Sequence, residues 1–494
     1  MIYPSIDQFI ELSRNAKLVP VALEMDGDLE TPISLFIKLG QNKNSYILES
    51  VEGGQHWARY SYIGRNPFLI IKASDNVVSV LNTETNTITN RHGDVLEIIK
   101  EIMQEYRIAK LANLPDFFGG AVGYFAYDVV RNYEKLKNSK VDNLNMPDIH
   151  LLLTNEVIVY DHVKQKIILI VNVPPSCTPK ASYQKAIERL QEIKAEILTA
   201  KDDVQRSKIA PRDGEVAWSA STESKDSFMQ KVRQIKSHIE NGEALQVVLS
   251  QRLSLQTEID PFNAYRVLRS LNPSPYLFFI NYGEYQLVGA SPELLVKVTD
   301  GLVETCPIAG TRPRGKDPSE DQAYVEDLLS DEKELAEHLM LVDLGRNDIG
   351  KVSEFGTVET KNLMHVEKYS HVMHIVTNVV GKLKNGATMY DALKACLPAG
   401  TVSGAPKVRA MEIINELETE KRGVYAGAVG YLGFNGNMDL CITIRTIVFK
   451  EKTAFVQTGA GIVADSDPET EYEETLRKAR ALLEAVRQAE EELS

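Results

Sequence analysis

Four short runs rich in β-branched and aromatic residues constrain this chain more than any other feature: SYILES at 45–50, FLIIKAS at 68–74, EVIVYDHV at 156–163 and KIILIVNV at 166–173. Each is bounded by turn or polar residues and reads as a strand that must find partners and a cover for its apolar face. A sheet-rich fold follows. Helices are interspersed, the clearest between positions 181 and 200, where Ile187, Leu190, Ile193 and Ile197 recur at helical spacing. The polar stretch 201–222 carries both signs of charge and little periodicity. It divides the chain into an N-terminal region 1–200, a linker 201–222 and a C-terminal region 223–494. The pentapeptide GAVGY occurs at 120–124 and again at 427–431. Two strands using glycine where backbones approach closely explain it better than duplication.

A chain of 494 residues has length for more than one core, and its formal charge of -14 lacks the cationic face that a nucleic-acid partner requires. No run approaches the roughly 20 apolar residues of a membrane span. The N-terminus MIYPSIDQFIELSRNAK lacks a cationic segment followed by an apolar core, so the expected location is the cytoplasm. Cys177, Cys306, Cys396 and Cys441 are scattered without zinc-site spacing and read as reduced thiols.

Two helices carry paired acids. In SDEKELAEHLMLVDLGRNDIG (330–350), Glu334 and Glu337 are three apart, with Leu335, Leu339 and Val342 assigned to another face. In SDPETEYEETLRKARALLEAV (466–486), a cap at Ser466 or Asp467 before Pro468 opens a helix that sets Glu471 and Glu474 three apart again. Spacing leaves two readings open. Acids in a first turn favour the macrodipole and Glu474 can pair with Lys478; alternatively, if the helices converge, their oxygens form a seat for magnesium.

Several loops suit an anion. Gly459-Ala460-Gly461 in QTGAGIVADSDP presents backbone with little side chain in the way, but the helix begins too late for a dinucleotide fingerprint. PAGTVSGAPKVRAME (398–412) runs from a glycine turn into a helix without the GK[ST] ending of a phosphate loop. PIAGTRPRG (307–315) is a rigid basic loop in an acidic chain. Arg445, among apolar neighbours in LCITIRTIVF, needs a carboxylate partner, either structural or from a substrate. His374 has the apolar flanks of a core histidine, and only a neighbouring site would give it chemistry.

Taken in order, ALQVVLSQR, NPSPYLFF, GASPELLVK, PIAGTRPRG, DEKELAEHLMLVDLGRNDIG, HVMHIVTNVVG, GTVSGAPKVRAMEII, YAGAVGYLGF, DLCITIRT and QTGAGIVADSDPETEYEET resemble the chorismate-utilising enzyme family. The likeness covers the chain from about Glu223 onward, with ILES and GGAVGYFAYD matching more weakly before it. It implies an α+β fold: a large interleaved architecture of antiparallel β-sheets packed face to face, helices outside, and the active site between its halves. It also implies that the acidic helices converge on Mg2+, with Glu337 and Glu474 as ligands and Glu334 and Glu471 supporting. Gly310, Thr311, Tyr425, Arg445, Gly459, Ala460 and Gly461 match positions that hold chorismate, and the arginines of PIAGTRPRG become supports of their loop. Glu293 matches the general acid for the C4 hydroxyl. His374 matches a histidine near the departing enolpyruvyl group; its role and that of Thr401 stay open.

Two positions choose among the family's activities. Members that add water carry a lysine where Gln246 stands, and an amide is a poor general base. Aminodeoxychorismate-forming members carry a nucleophilic lysine where Ala309 stands. The resemblance therefore implies that ammonia adds at C2, the C4 hydroxyl leaves and pyruvate is lost, giving anthranilate in the first committed step toward tryptophan. No cysteine has the glycine-rich elbow of a glutaminase, so a separate glutamine amidotransferase subunit is the expected ammonia source. ILES and NPSPYLFF match the two halves of a feedback site for L-tryptophan, with Glu49 and Ser50 at the polar end of the amino acid and Pro275, Tyr276 and Leu277 as the second wall. The alternatives are aminodeoxychorismate formation and a non-catalytic tryptophan-binding regulatory subunit.

Overall fold

A computed structural model describes residues 1–39, 42–52, 56–57, 59–136, 140–175, 178–200, 220–369 and 372–492. Most of the expected linker, 201–219, and Cys177 lie outside the described residues. The elements that position the sites are, in chain order, β1 (Ser45–Glu49), β2 (Gln246–Gln256), α1 (Pro261–Leu271), β3 (Tyr276–Asn281), β4 (Tyr285–Ser291), β5 (Leu294–Thr299), β6 (Ile308–Pro313), α2 (Glu332–Gly350), β7 (Val372–Lys382), α3 (Lys407–Leu417), β8 (Met438–Ile442), β9 (Thr453–Ile462) and α4 (Pro468–Glu492).

The runs read as strands are strands: Leu69–Ser74, Glu156–Asp161 and Lys166–Val173 join β1. They enter two large antiparallel sheets, of 13 and 12 strands among the described residues. Both sheets interleave the two ends of the chain. In the larger, β1 pairs with β3 in the register Leu277 to Glu49 and Asn281 to Ser45. In the smaller, the two GAVGY copies pair with each other, Gly123 opposite Gly430 and Tyr124 opposite Val429. Glycine is required there by close approach: a Cβ on Gly123 would lie 2.0 Å from the His150 carbonyl oxygen, and one on Gly430 would lie 2.1 Å from that of Asp439. Residues 220 and 221, at the end of the expected linker, form a short strand beside β2.

The sheets meet face to face over one core, in which Tyr124 and Leu151 of the smaller sheet join Phe278, Ile280 and Leu287 of the larger. A second core lies under the helices outside the larger sheet, uniting Leu190, Ile193 and Ile197, Tyr265 and Leu268 of α1, and Leu482, Leu483 and Val486 of α4. The helix expected between 181 and 200 spans Pro179–Thr199, with Ala186 rather than Ile187 buried at its start. This is the α+β architecture that the sequence implied. Among the described residues, no helix is long and apolar enough to cross a membrane.

Candidate active site and a second cavity

Where β2, β6, β7 and β9 meet the ends of α2 and α4, a cavity of about 510 Å³ gathers Gln246, Glu293, Gly310, Thr311, His374, Thr401, Tyr425, Arg445, Gly459 and Gly461 with all four helix acids. Residues spread over nearly half the chain thus share one space. Ala460 is the exception among the expected residues. Alternation along β9 turns its methyl away, into the cluster with Phe228 and Ile413.

The basic loop resolves into supports and wall. Arg312 bonds to Asp327 at 2.5 Å and Asp331 at 2.8 Å, and Arg314 bonds to Asp321 at 2.7 Å and the Tyr369 carbonyl at 2.6 Å. With the arginines so occupied, Ala309, Gly310 and Thr311 are left to line the cavity. Gly310 has φ +67°, a conformation open to glycine, and its carbonyl accepts the Nδ1 proton of His374 at 2.7 Å. That bond fixes the tautomer, leaving Nε2 as the acceptor nitrogen. Burial lowers the His374 pKa, with the Gly310 bond acting against it, so the ring is neutral at neutral pH.

Glu293 follows β4 at the break before β5. The Ser291 hydroxyl donates to the Ile442 carbonyl at 2.7 Å, and the Ile442 N–H donates to the Glu293 carbonyl at 3.0 Å, which pins the break to the end of β8. Burial pushes the Glu293 carboxyl up to about 8, with Thr401 pulling the other way. The Thr401 hydroxyl is buried and has no hydrogen bond of normal geometry among the described residues. A carboxylic acid held protonated at neutral pH is equipped to deliver a proton.

Arg445 has φ +51° and forms no side-chain salt bridge or hydrogen bond among the described residues, which leaves its guanidinium for a bound anion rather than a structural carboxylate. Burial lowers its pKa, opposed by Tyr425 and Glu474. A Cβ on Gly459 would lie 2.7 Å from Tyr425 Oη, and one on Gly461 would lie 2.7 Å from Gln246 Nε2, so only glycine leaves these two side chains in place. Gln246 donates from Nε2 to Glu337 at 3.0 Å, while its Oε1 is buried without a partner among the described residues.

The acids come as two pairs on facing helices. Burial raises Glu334, with Glu337 adding to it, and burial raises Glu471 against a bond from Ser466, with Glu474 adding to it. Lys333 on α2 lies close enough to Glu471 on α4 to favour its ionised form, so the two helix ends confront each other. Asp467 is the cap of α4, accepting from the Thr470 N–H at 2.9 Å. Leu339 lies off the face that carries the acids, as expected, but is 47% exposed. The buried stripe of α2 runs instead through His338, Leu341, Val342 and Gly345, contiguous with the acids because the cavity is internal. Among the described residues, no three acidic, histidine or cysteine side chains are gathered as a finished metal cage. Hard oxygens in opposed, partly buried pairs nevertheless fit a magnesium ion that keeps several waters.

Sequence reasoning gave Lys478 only the role of pairing with Glu474. It makes that contact at 2.5 Å and also donates to the Gly459 carbonyl at 3.0 Å, and with Lys333 and Gln457 it completes the wall. The i,i+4 spacing from Glu474 was the available signal for Lys478; Lys333 and Gln457 carried none.

A second cavity, about 310 Å³, is lined by all five residues expected for the feedback site, together with Tyr60, Lys297, Tyr431 and Asp439. Glu49 is at the wall, but its carboxylate is taken by Arg269 at 2.8 and 3.1 Å and by the Tyr265 hydroxyl at 2.6 Å, both on α1. A carboxylate held by these three bonds still has a lone pair for a ligand's ammonium group. The other acids at the wall are Asp116 and Asp439; Asp439 accepts from Tyr276 at 2.9 Å and lies 3.3 Å from Lys297, and burial raises its pKa.

The chain is similar over nearly its whole length to known proteins. A family profile described as chorismate binding enzyme matches residues 44–484. The chain is 52% identical to anthranilate synthase component 1 of Acetivibrio thermocellus, over 99% of this chain and 100% of that one. It is 44% identical to the protein of the same name from Aquifex aeolicus, over 99% and 98%. Among solved structures, anthranilate synthase component I from Streptococcus pneumoniae TIGR4 aligns with a TM-score of 0.76 at 41% identity, covering 93% of this chain and 98% of that one.

Proposed function

The chain belongs to the family of chorismate binding enzymes, and on that premise we propose that its 510 Å³ cavity converts chorismate and ammonia to anthranilate and pyruvate. The observation that carries the choice of product is the pair Gln246 and Ala309, both at the cavity wall. Neither can do what a lysine does there: the amide of Gln246 is engaged with Glu337 and is a poor base for water, and the methyl of Ala309 cannot attack the ring.

Chorismate is a dianion. Arg445 meets one carboxylate, and the ridge of Gly459 and Gly461, with Tyr425 behind it, lets the ring approach the backbone. Glu337 and Glu474, with Glu334 and Glu471 behind them, would hold magnesium, which supplies charge neutralisation for the ring carboxylate. Glu293, protonated below about pH 8, gives its proton to the departing C4 hydroxyl as ammonia bonds to C2. The buried Oε1 of Gln246 offers an acceptor to the incoming N–H. Proton loss at C2 and elimination of pyruvate restore the aromatic ring, with His374 Nε2 as the acceptor nitrogen available at the cavity wall.

The absence of a glutaminase elbow in the sequence and the "component 1" names of the relatives support a separate glutamine amidotransferase subunit as partner. We assign the 310 Å³ cavity to L-tryptophan as feedback inhibitor, with Glu49 and Ser50 toward its polar end and Pro275, Tyr276 and Leu277 as the second wall. The free thiols of Cys306, Cys396 and Cys441 fit the reducing cytoplasm. The test is to incubate the purified chain with chorismate, magnesium and ammonium and to follow anthranilate by fluorescence and mass. Aminodeoxychorismate accumulating without anthranilate would move the assignment to that activity, and no consumption of chorismate would favour a non-catalytic subunit.

A further inference from the structure

Behind the chorismate cavity, among residues given no role above, lies a buried ion pair. Arg422 and Glu418 follow α3, and their side chains are 1% and 8% exposed. Glu418 accepts from Arg422 Nε at 2.8 Å and Nη2 at 2.7 Å. Its Oε1 also accepts from the N–H and hydroxyl of Ser250 on β2, at 2.9 and 2.8 Å. The guanidinium then reaches two backbone carbonyls, Nη1 to Val402 and Nη2 to Val248, each at 2.7 Å. Its carbon stands 4.7 Å from the ring centre of Tyr127 and 5.7 Å from that of Tyr425.

Stability alone is a weak reason for such a pair, since desolvating two charges costs about as much as their attraction returns and apolar residues of similar volume often serve as well. What an apolar pair cannot do is tie separate segments together at fixed distances. Val402 follows Thr401 in the short turn Gly400–Val402. Val248 is two residues from Gln246, on the same face of β2, and both line the cavity. Tyr425 also lines it, whereas Arg422 does not. One side chain thus touches the supports of three walls and remains out of reach of the substrate.

We propose that Arg422, locked by Glu418, is a positioning residue that clamps the Thr401 turn, the Gln246 end of β2 and Tyr425 into the geometry that receives chorismate. This rests on the anthranilate-forming reading of the cavity. Lysine at this position keeps the charge but cannot reach Glu418 and two carbonyls at once, since its ammonium lacks the planar fork.

The experiment measures ammonia-dependent anthranilate formation by the wild type, R422K and the double variant R422M/E418Q, with thermal melts of each. A wild type that makes no anthranilate would remove the underlying reading before the clamp is judged. With an active wild type, R422K is expected to raise KM for chorismate roughly tenfold or more, because small displacements of binding groups are costly. A purely structural role would instead lower the melting temperature and the apparent kcat, through less folded enzyme, while leaving KM unchanged, and that result overturns the proposal. If R422K does not fold, the double variant, which buries no unpaired charge, is decisive by the same KM criterion. Failure of both to fold would assign the pair to stability and overturn the proposal as well.

Discussion

Replacing Glu293 by glutamine separates what this residue does for catalysis from what it does to stability. Burial raises its carboxyl from 4.5 to about 8. Between those values the native protein holds a proton that the unfolded chain has released, so stability falls as pH rises. The protonated group is accommodated at no such cost below pH 4.5, and the loss is complete once pH has passed about 8. At about 1.4 kcal/mol per pH unit, the burden is about 3 kcal/mol at pH 7 and approaches about 5 kcal/mol above pH 8. Glutamine has the shape of the protonated acid and does not ionise. E293Q should therefore resist urea better than the wild type by about 3 kcal/mol at pH 7, and the two should converge near pH 4.5. Over the same series, ammonia-dependent anthranilate formation should drop by about 10²- to 10⁴-fold, the usual contribution of a positioned general acid. Urea melts of both proteins at pH 4.5, 6, 7 and 8, read beside the fluorescence assay, supply both numbers. A stability difference that does not vary with pH, or an E293Q less stable than wild type at pH 7, would refute the argument that burial keeps Glu293 protonated.

Other substitutions probe other walls. G459A brings a Cβ within 2.7 Å of Tyr425 Oη and 2.9 Å of the Leu249 carbonyl, and should raise KM for chorismate by about tenfold; an unchanged KM would show that Tyr425 does not face the substrate. S50F places a ring in the 310 Å³ cavity and should leave turnover intact while raising the tryptophan concentration needed for half-inhibition by about tenfold or more, so unaltered inhibition would dissociate that cavity from tryptophan. E474A removes a proposed magnesium ligand, and a magnesium titration of activity should shift upward by about 10-fold or more. Full activity at limiting magnesium would discredit the metal assignment.

What the sequence made legible was local. KIILIVNV became a strand over its whole length because β-branched runs buried on both faces leave a continuous signature, and the acids three apart on α2 and α4 did share a helical face. Partner choice across the chain was not legible: nothing in ILES or NPSPYLFF states that Leu277 pairs with Glu49, since strand register depends on contacts that spacing does not encode. The exposure of Leu339 was illegible for a related reason, because a helix bordering an internal cavity carries its polar and buried residues on adjoining faces rather than opposite ones. That Arg269 and Tyr265 orient the Glu49 carboxylate was likewise not legible, because only their positions on α1 reveal it.

Arg422 is the extreme case. In ETEKRGVY it sits among charged residues and reads as part of a solvated turn, yet the fold buries it more completely than any apolar residue named in that segment except Val424, at 2% exposure for each. Its neighbours explain the difference. Lys421 stays partly exposed beside Asp148, and Glu420 bonds to Arg252, so the flanking charges remain toward the surface while Arg422 turns inward to Glu418 and the two carbonyls. A buried guanidinium must have every strong donor answered, and here the answering groups come from β2 and from the turn before α3. Those are the segments whose side chains form the cavity, so satisfying the arginine and arranging the active site are the same geometric requirement.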